Sequence, residues 1–470
     1  MLRLGFLVAG LVAILSSSSE AQNPTLDNLK KQADQAYQAR DFSRAIQLSD
    51  QILAAQQNDH VGLYLRGSAR VELGILGRNA DLIREGINDS REAIRHEGTG
   101  LADYYLPYIY GMSYLTVLEG KLNHAQTARQ VADTVLDRDN LADDERANIL
   151  YQRAFAEMHL KEFAAAETDL KQAGQLNPQL MAAYTLLAEI AAQTKTPNEA
   201  LTAYTQVVTL FPRSPVAYNN RGMFLLGHSQ YQAALADFTM AVQLDPKFTE
   251  AHVNRGFTLI ESGDYATAET ALNQALAVDA KHTGALGLRG NCRMQQGRTA
   301  EAIQDYKSIV QLAPTSGNSY AELGFAQFFS GDFPGANQSF ARAMELDPKA
   351  RFLLPWRLAA EVRSGSITQE LYRETLAREA EKRDWVDHLI LYQGGRVDEN
   401  ALLAAVHPTD PKARDAQMCE AYYFMGLEMI RRNRPADARG YFSQSAQKKM
   451  GRLSAYRGSQ IALRSLTAVK

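Results

Sequence analysis

Five arginines in this 470-residue sequence stand at matching places in a repeating pattern, and four of them share their unit with a matching aspartate. The arginines are Arg66, Arg153, Arg221, Arg255 and Arg289, and the aspartates are Asp89, Asp169, Asp237 and Asp305. A row of guanidinium groups is suited to an anionic ligand, because arginine recognises phosphate and carboxylate through its fork of donors. The matched aspartates favour another interpretation, in which each Arg–Asp pair ties two neighbouring helices together.

Other residues that often perform chemistry are scattered along the chain. The nine histidines form no H-E-x-x-H motif and no close His/Cys grouping that would bind zinc. Gly284, Gly287 and Gly290 have the spacing of part of a nucleotide-binding loop, but they lie on a predicted helix with no strand before it. A G-x-S-x-G elbow is also missing. We therefore predict a protein that is not an enzyme and that needs no metal or cofactor.

The elements that position these residues follow a period of 34 residues between residues 147 and 350. Two small residues, a large apolar residue and usually a proline recur in phase, and the unit that begins at Pro215 has Gly222, Ala234, Phe238 and Pro246. Apolar spacing of three and four predicts two short amphipathic helices in each unit. The small residues are expected where the two helices cross, and Gly-Asp turns at 263–264 and 331–332 are expected to separate them.

This pattern resembles the tetratricopeptide repeat (TPR), a helix-turn-helix unit with the same period. The resemblance implies an all-α fold, namely a right-handed TPR superhelical solenoid of about ten helix-turn-helix repeats. It also implies that the first helices of the repeats line a concave groove, which is the usual binding surface of the family.

The sequence is divided where the period changes. The predicted segments are 1–21, a signal peptide; 22–146, divergent TPR repeats with insertions; 147–350, six regular repeats; 351–418, an irregular helical segment; and 419–470, a final repeat with a capping helix. The run from Trp385 through Tyr392 to Tyr423 is similar to the C-terminal part of NlpI-like bacterial TPR proteins. That likeness implies cell-wall hydrolases or envelope proteases as clients, although the lipid-carrying cysteine of those proteins is missing here.

At the groove positions that the resemblance implies, this sequence is apolar and aromatic. The predicted partner-binding residues are Tyr64, Tyr108, Met112, Tyr151, Phe155, Met158, Met223, Phe257, Phe325 and Phe328. Aromatic and methionine side chains suit a surface that receives the apolar side chains of a peptide or helix. Two alternatives stay open: many of these residues pack between adjacent repeats, or the segment 351–418 fills the groove and makes it structural.

The N-terminus has the pattern of a secretory signal. Arg3 precedes an apolar run at 4–15, and the small residues of the triplet 19–21 suit a signal peptidase. Twelve apolar residues form a helix of about 18 Å, which is too short for a hydrocarbon core of about 30 Å. We expect an exported protein, periplasmic or secreted, from a Gram-negative bacterium. Cys292 and Cys419 lie in separate repeats and are expected to be buried.

Charge limits the classes of partner. The net charge of −3 argues against nucleic acid, whose binding depends on an excess of Lys and Arg. Residues 431–470 contain ten Lys or Arg and a single acid, so the C-terminus is suited to peripheral contact with anionic lipid or cell-wall polymer, or is simply a solvated face.

Together these patterns predict a protein–protein interaction scaffold or adaptor of the bacterial cell envelope. It would bind a peptide or protein, such as another envelope protein, in the concave groove. The alternative is a structural subunit of a secretion, pilus or polysaccharide-export assembly, and a weaker third hypothesis is direct binding of a polysaccharide. The sequence leaves the oligomeric state open.

Overall fold

Pairs of packed α-helices follow one another along the chain, as the 34-residue period predicts. The computed structural model describes residues 24–97, 101–365, 377, 383–450 and 453–468. Within these ranges there are 24 α-helices, two short 3-10 helices and no strand. The predicted all-α fold is therefore confirmed. The predicted signal peptide lies outside the described residues.

The chain forms two compact units, of which the first extends to Phe224 and the second starts at Leu225. We call them the N-terminal and the C-terminal unit. The helices that begin in the N-terminal unit are α1 (Pro24–Gln38), α2 (Phe42–Ala55), α3 (His60–Gly77), α4 (Ala80–Glu97), α5 (Leu106–Glu119), α6 (Leu122–Leu136), α7 (Asp143–His159), α8 (Phe163–Leu176), α9 (Met181–Thr194), α10 (Pro197–Leu210) and α11 (Pro215–Gly227). A 3-10 helix at Ala102–Tyr105 precedes α5.

The C-terminal unit contains the regular repeats that follow, the irregular segment and the C-terminal helices. Its helices are α12 (Tyr231–Leu244), α13 (Thr249–Glu261), α14 (Tyr265–Val278), α15 (Thr283–Gln295), α16 (Thr299–Leu312), α17 (Gly317–Ser330), α18 (Phe333–Leu346), α19 (Leu354–Ser364), α20 (Trp385–Gln393), α21 (Glu399–Ala404), α22 (Pro411–Arg431), α23 (Pro435–Gln447) and α24 (Ser454–Ala468). A 3-10 helix at Arg351–Leu353 leads into α19.

The recurring small residues lie where the two helices of a repeat cross. A Cβ atom added at Gly324 would lie 2.6 Å from the ring of Phe340, which is the large apolar residue of the same repeat. In the last repeat the same contact joins Gly426 and Phe442, at 2.5 Å. Both phenylalanines are almost completely buried. The predicted role of the small residues, to permit close approach of the helix axes, is confirmed.

The Gly-Asp turns separate the helices of a repeat as predicted. Gly263 has a φ of +85° and Gly331 a φ of +88°, which is a left-handed conformation that favours glycine. The carboxylates that follow cap the next helices: Asp264 accepts a hydrogen bond from the Thr267 amide at 3.1 Å, and Asp332 caps α18 in the same way.

The last part of the chain is more connected than the sequence suggests. Helix α22 begins at Pro411, before the predicted start of the final repeat at residue 419, because Asp410 caps it by accepting from the Ala413 amide at 2.7 Å. Helix α24 packs against α22 and α23, as a capping helix would. It also packs against α15 and α17, which belong to repeats more than a hundred residues earlier in the chain. The sequence did not predict that second contact.

Candidate partner-binding cleft

The ten predicted partner-binding residues differ widely in exposure. Tyr64, Tyr151, Phe155, Phe325 and Phe328 are buried, with between 2% and 5% of their surface accessible. Tyr108, Met112, Met158 and Phe257 are half-buried, and Met223 is exposed at 39%. A partner can touch only the second group directly. Partner binding by these side chains stays a prediction, and the burial of five of them restricts where it can occur.

Packing between helices explains the buried members of the set in the N-terminal unit. The ring of Tyr64 lies 4.7 Å from that of Tyr104, which comes from the 3-10 helix before α5. Phe155 lies between Tyr110, at 6.1 Å, and His159, at 4.7 Å. Aromatic side chains at these separations stabilise the core through offset and edge contacts. Packing between repeats, one of the alternatives left open by the sequence, accounts for these two positions.

In the C-terminal unit the irregular segment covers two more members of the set. The indole of Trp356, on α19, lies 5.0 Å from the ring of Phe325 and 5.5 Å from that of Phe328. Tyr423 on α22 also packs against this indole, with ring centroids 5.0 Å apart. These phenylalanines therefore belong to a core that the first helix of a repeat shares with the segment 351–418.

The first helices of the C-terminal unit also line an open site. It is a cleft of about 500 Å³ between α13, α15, α17 and α24. The lining residues are Phe257, Ile260, Glu261, Tyr265, Leu288, Asn291, Gln295, Glu322, Lys449, Tyr456, Arg457 and Gln460. We call this site the cleft. Its volume is in the range of pockets that hold a small ligand or several peptide side chains.

The repeat side of the cleft combines apolar surface with a hydrogen-bond acceptor. Phe257 and Ile260 on α13 and Leu288 on α15 are each half-buried. Near them, the Oδ1 atom of Asn291 is buried and accepts no hydrogen bond from the described residues. A buried acceptor without a donor costs about 1–3 kcal/mol. A ligand that donates a hydrogen bond here would remove that cost.

The opposite side of the cleft is formed by α24. Arg457 makes a two-pronged ion pair with Glu322 on α17, with N–O distances of 3.2 and 3.3 Å. Burial by itself would lower the pKa of Arg457, but the carboxylate of Glu322 outweighs this and raises it. Tyr456 accepts a hydrogen bond from the Gln460 amide at 2.9 Å. The cleft is thus bounded by acidic residues on the repeats and by basic and polar residues on α24.

Three of the predicted Arg–Asp ion pairs are confirmed. Arg66 donates to both oxygens of Asp89, at 2.9 and 2.7 Å. Arg153 donates to both oxygens of Asp169, at 2.6 and 2.8 Å. Arg289 donates to both oxygens of Asp305, at 3.1 and 2.6 Å. All three aspartates are buried. The pair of Arg221 with Asp237 stays a prediction. Arg255, whose unit has no matching aspartate, donates instead to the Gln274 amide oxygen at 2.8 Å.

Each paired arginine also joins its repeat to the preceding one. The remaining Nη1 group of Arg289 donates to Asn273 on α14 at 2.8 Å, and Arg153 reaches Asp133 on α6 at the same distance. Arg66 makes the equivalent bond to Asp50. Because all three guanidinium groups are occupied by neighbouring side chains, the hypothesis of an anion-binding arginine row receives no support from them.

Cys292 and Cys419 are free and buried, and burial raises the pKa of the Cys419 thiol to about 11, so neither is a ready nucleophile. Within the described residues, no cluster of three or more His, Cys, Asp or Glu is able to hold a metal ion. In the same residues, no helix has the length and apolar character needed to cross a membrane.

Comparison with known proteins agrees with the helical architecture. Residues 185–247 and 253–317 match the family model of the tetratricopeptide repeat. No curated protein sequence matches the chain at a significant level.

Three similar solved structures illustrate the range of the likeness. A tetratricopeptide repeat protein from Parabacteroides merdae is 16% identical, with 68% of this chain and 99% of that chain covered and a TM-score of 0.36. PilF of Pseudomonas aeruginosa is 18% identical, with coverages of 44% and 95% and a TM-score of 0.39. Yeast Tom70 is 14% identical, with coverages of 80% and 98% and a TM-score of 0.38. The described helices, with the two matched segments among them, form an all-α TPR solenoid.

Proposed function

We propose that this chain is a non-enzymatic scaffold or adaptor of the bacterial cell envelope, and that it binds a peptide or protein partner in the cleft. TPR repeats generally mediate protein–protein interaction, and the comparisons indicate no enzyme family. The observation that carries the proposal is the cleft itself. It is formed by first helices of consecutive repeats and combines half-buried Phe257 and Ile260 with the unpaired acceptor of Asn291.

The chemistry of the cleft favours a polypeptide partner. A peptide supplies apolar side chains for Phe257, Ile260 and Leu288, and its backbone N–H groups are donors for an acceptor such as Asn291 Oδ1. Glu261 is exposed at one end, where it attracts a basic side chain of the partner. The cleft lacks the uniform positive charge that nucleic acid requires, since Glu261 and Glu322 lie beside Lys449 and Arg457.

The envelope location rests on the sequence. The basic, apolar and small-residue regions within 1–21 support export, and the likeness of the C-terminal part to NlpI-like proteins supports an envelope client. The partner class that follows is another exported or membrane-bound protein with a segment exposed outside the cytoplasm. A protein that retained the apolar run at 4–15 would meet the same class of partners.

The test is chemical crosslinking of the full-length protein in envelope extract, followed by identification of captured partners. The cleft variant is Phe257→Ala with Ile260→Ala. The matched control is Val278→Ala with Leu312→Ala, two exposed apolar residues at the ends of second helices in the same unit. Circular dichroism confirms that each variant is folded. We expect a partner that wild type and control capture equally and that the cleft variant loses.

Capture of the same set by all three proteins would contradict the cleft as the binding site. A partner recovered with membrane proteins in a fixed ratio, and unaffected by the cleft variant, would support the alternative of a structural subunit of a secretion, pilus or polysaccharide-export assembly. The ratio is measured by quantitative mass spectrometry of the crosslinked material.

A further inference from the structure

Helix α24 presents one regular stripe of side chains to the first helices of the C-terminal unit. Arg457 pairs with Glu322 on α17, and Ile461 packs with the apolar core of α13 to α16. One turn further on, Arg464 approaches the amide oxygen of Gln295 on α15 at 3.5 Å. The positions are i, i+4 and i+7, which is the spacing with which an amphipathic helix enters a groove.

The docking of α24 is close on a neighbouring part of its surface. A Cβ atom added at Gly458 would lie 2.7 Å from the rings of both Phe329 and Tyr423. Phe329 belongs to a first helix of the repeats and Tyr423 to α22, so the glycine lets α24 approach both at once. Ala455, near the start of α24, is buried in the same region. The helix is therefore seated on the repeat surface and is not a loosely attached tail.

The seat of α24 is nevertheless imperfect. The Nε atom of Arg457 and the hydroxyl of Ser459 are buried, and neither has a hydrogen-bond partner among the described residues. Part of the cleft, including the Asn291 acceptor, is left unfilled beside the helix. Unsatisfied buried polar groups lower the net free energy of docking. A helix that carried no such unsatisfied groups and filled the open volume would bind the same surface more favourably.

We infer that α24 is an internal ligand of the cleft, and that the partner is an amphipathic helix of matching chemistry that competes with it. Such a helix has an apolar residue with an arginine four positions before it and another three positions after it, as Arg457, Ile461 and Arg464 are placed. This inference rests on the proposed function, because it names the class of partner and the control of the same site. Glu322 supplies the charge complementarity, and the apolar core beside it receives the central side chain.

Competition of this kind has a quantitative consequence. A ligand binds with an apparent affinity reduced by the fraction of molecules whose site is open. If α24 is docked in about nine molecules out of ten, release of α24 improves the affinity of a competing helix about tenfold. The part of the repeat surface beneath α24 is then available to a competing helix only when α24 leaves it.

The experiment uses full-length protein and a fluorescent peptide with the sequence of residues 453–468. The releasing variant is Arg457→Glu, which places a carboxylate against Glu322. The restoring variant is Arg457→Glu with Glu322→Arg, and the matched control is Arg439→Glu, the same charge change at an exposed position of α23. Fluorescence anisotropy measures peptide binding, and hydrogen exchange of residues 454–468 measures release of α24.

We expect Arg457→Glu to bind the peptide at least about tenfold more tightly than wild type and to exchange faster in α24. The control should resemble wild type. The restoring variant should bind the peptide weakly, because its α24 is docked again and the arginine introduced at position 322 repels the arginines of the peptide. Equal binding by all four proteins, or no binding by Arg457→Glu, overturns the inference.

The inference and the proposed function fail in different ways. One result is that capture of a partner requires Phe257 and Ile260 but the Arg457→Glu variant does not bind the peptide. It would support the proposed function and contradict the role of α24 as an internal ligand. The opposite result is a peptide that binds Arg457→Glu, together with partners that wild type and the cleft variant capture equally. It would support α24 as an internal ligand and contradict the proposed function.

Discussion

Two acids of the C-terminal unit and three glutamates of the N-terminal unit are in opposite electrostatic settings. In the C-terminal unit, Asp305 is buried and accepts from both Arg289 and Arg293, and Glu269 accepts from Arg293 and Arg298. Burial alone would raise the pKa of Glu269, but the two arginines outweigh it and hold the pKa below its usual value. Glu269 is therefore stabilised in its charged form.

In the N-terminal unit, burial instead raises the pKa of several acids, among them that of Asp103 to about 6. Burial raises the pKa of Glu72, Glu157 and Glu189 to about 7 each, although Arg40 acts against this at Glu72 and Arg153 at Glu157. One carboxylate oxygen of each is buried and accepts no hydrogen bond from the described residues. A charged carboxylate in such a place is costly, so these acids favour their neutral form near neutral pH.

One repeat pattern therefore supports two kinds of first-helix surface. In the N-terminal unit, Tyr64, Tyr151 and Phe155 are packed into the core, and the three glutamates each have one buried oxygen that accepts no hydrogen bond from the described residues. In the C-terminal unit, Asp305 and Glu269 are each paired with two arginines, and the first helices line an open cleft. We therefore propose the second unit as the location of the partner site, and we expect the first unit to respond to pH.

The largest expected effect is loss of a paired acid in the C-terminal unit. Replacing Asp305 by alanine leaves Arg289 and Arg293 without their shared carboxylate, and we expect a cost of about 3–5 kcal/mol in the free energy of unfolding. Urea denaturation measures it. The control Glu301→Ala removes a half-exposed acid of the same helix and should cost far less, because water screens its ion pairs. Equal losses in the two variants would show that the buried pair has no special role.

A smaller effect is expected from pH on the N-terminal unit. Glu72, Glu157 and Glu189 have pKa values near 7 in the folded unit and ordinary values near 4.5. Between these two pH values the folded unit binds protons that the unfolded chain has released. Stability is therefore lost as pH rises through 7, and a change from pH 8.0 to 6.5 should stabilise the unit by about 2 kcal/mol. His159, whose pKa burial lowers, opposes the gain at lower pH.

The C-terminal unit should share this response only in part, through Glu420, whose pKa burial raises. The lowered pKa of Glu269 contributes stability that is present above its ordinary value near 4.5 and is lost only as the pH falls below it. Hydrogen exchange with mass spectrometry, corrected for the intrinsic effect of pH, reports on both units in one experiment. Equal changes in both units between pH 8.0 and 6.5 would remove the electrostatic distinction between them.

A single neutral substitution sharpens the same point. Replacing Glu157 by glutamine keeps its shape and removes the charge, so at pH 8.0 we expect a gain of about 1 kcal/mol and a weaker pH response. The control Glu162→Gln lies at a half-exposed ion pair with Arg129 and should be neutral or slightly destabilising. Destabilisation by Glu157→Gln would mean that its charge is needed.

The smallest effect is expected at the arginine without an aspartate. Burial lowers the pKa of Arg255, whose guanidinium donates to the neutral amide of Gln274. Replacement by methionine keeps the apolar stem and should change the free energy of unfolding by less than about 0.5 kcal/mol. The same replacement at Arg289 should cost several times more, as thermal or urea unfolding would show. Similar losses at both positions would contradict the importance of the matched aspartate.

Sequence reasoning succeeded where both partners of a contact lie within one repeat. The contact of Gly324 with Phe340 and the pair of Arg289 with Asp305 follow from positions that recur every 34 residues. Such contacts are local, so the periodic pattern determines them. The all-α fold and the Gly-Asp turns were predictable for the same reason.

Contacts between distant segments were beyond this reasoning. A groove position faces solvent or a neighbour according to what packs beside it, and the covering Trp356 lies in a segment that has no period. The pairing of Arg457 with Glu322 joins residues 135 positions apart. For the contact of α24 with the repeats, the sequence contained one signal, which is the spacing of Arg457, Ile461 and Arg464. This spacing indicates a helix with one face suited to packing against a partner.

The most direct test of the cleft as the partner site is site-specific photocrosslinking in envelope extract. Benzoylphenylalanine replaces Phe257 in the cleft, Met112 in the N-terminal unit, or Met240, an exposed residue on the second helix α12. We predict that a defined partner is crosslinked from position 257 and from neither of the others. Crosslinks from position 112 or 240, with none from position 257, would contradict the cleft as the partner site.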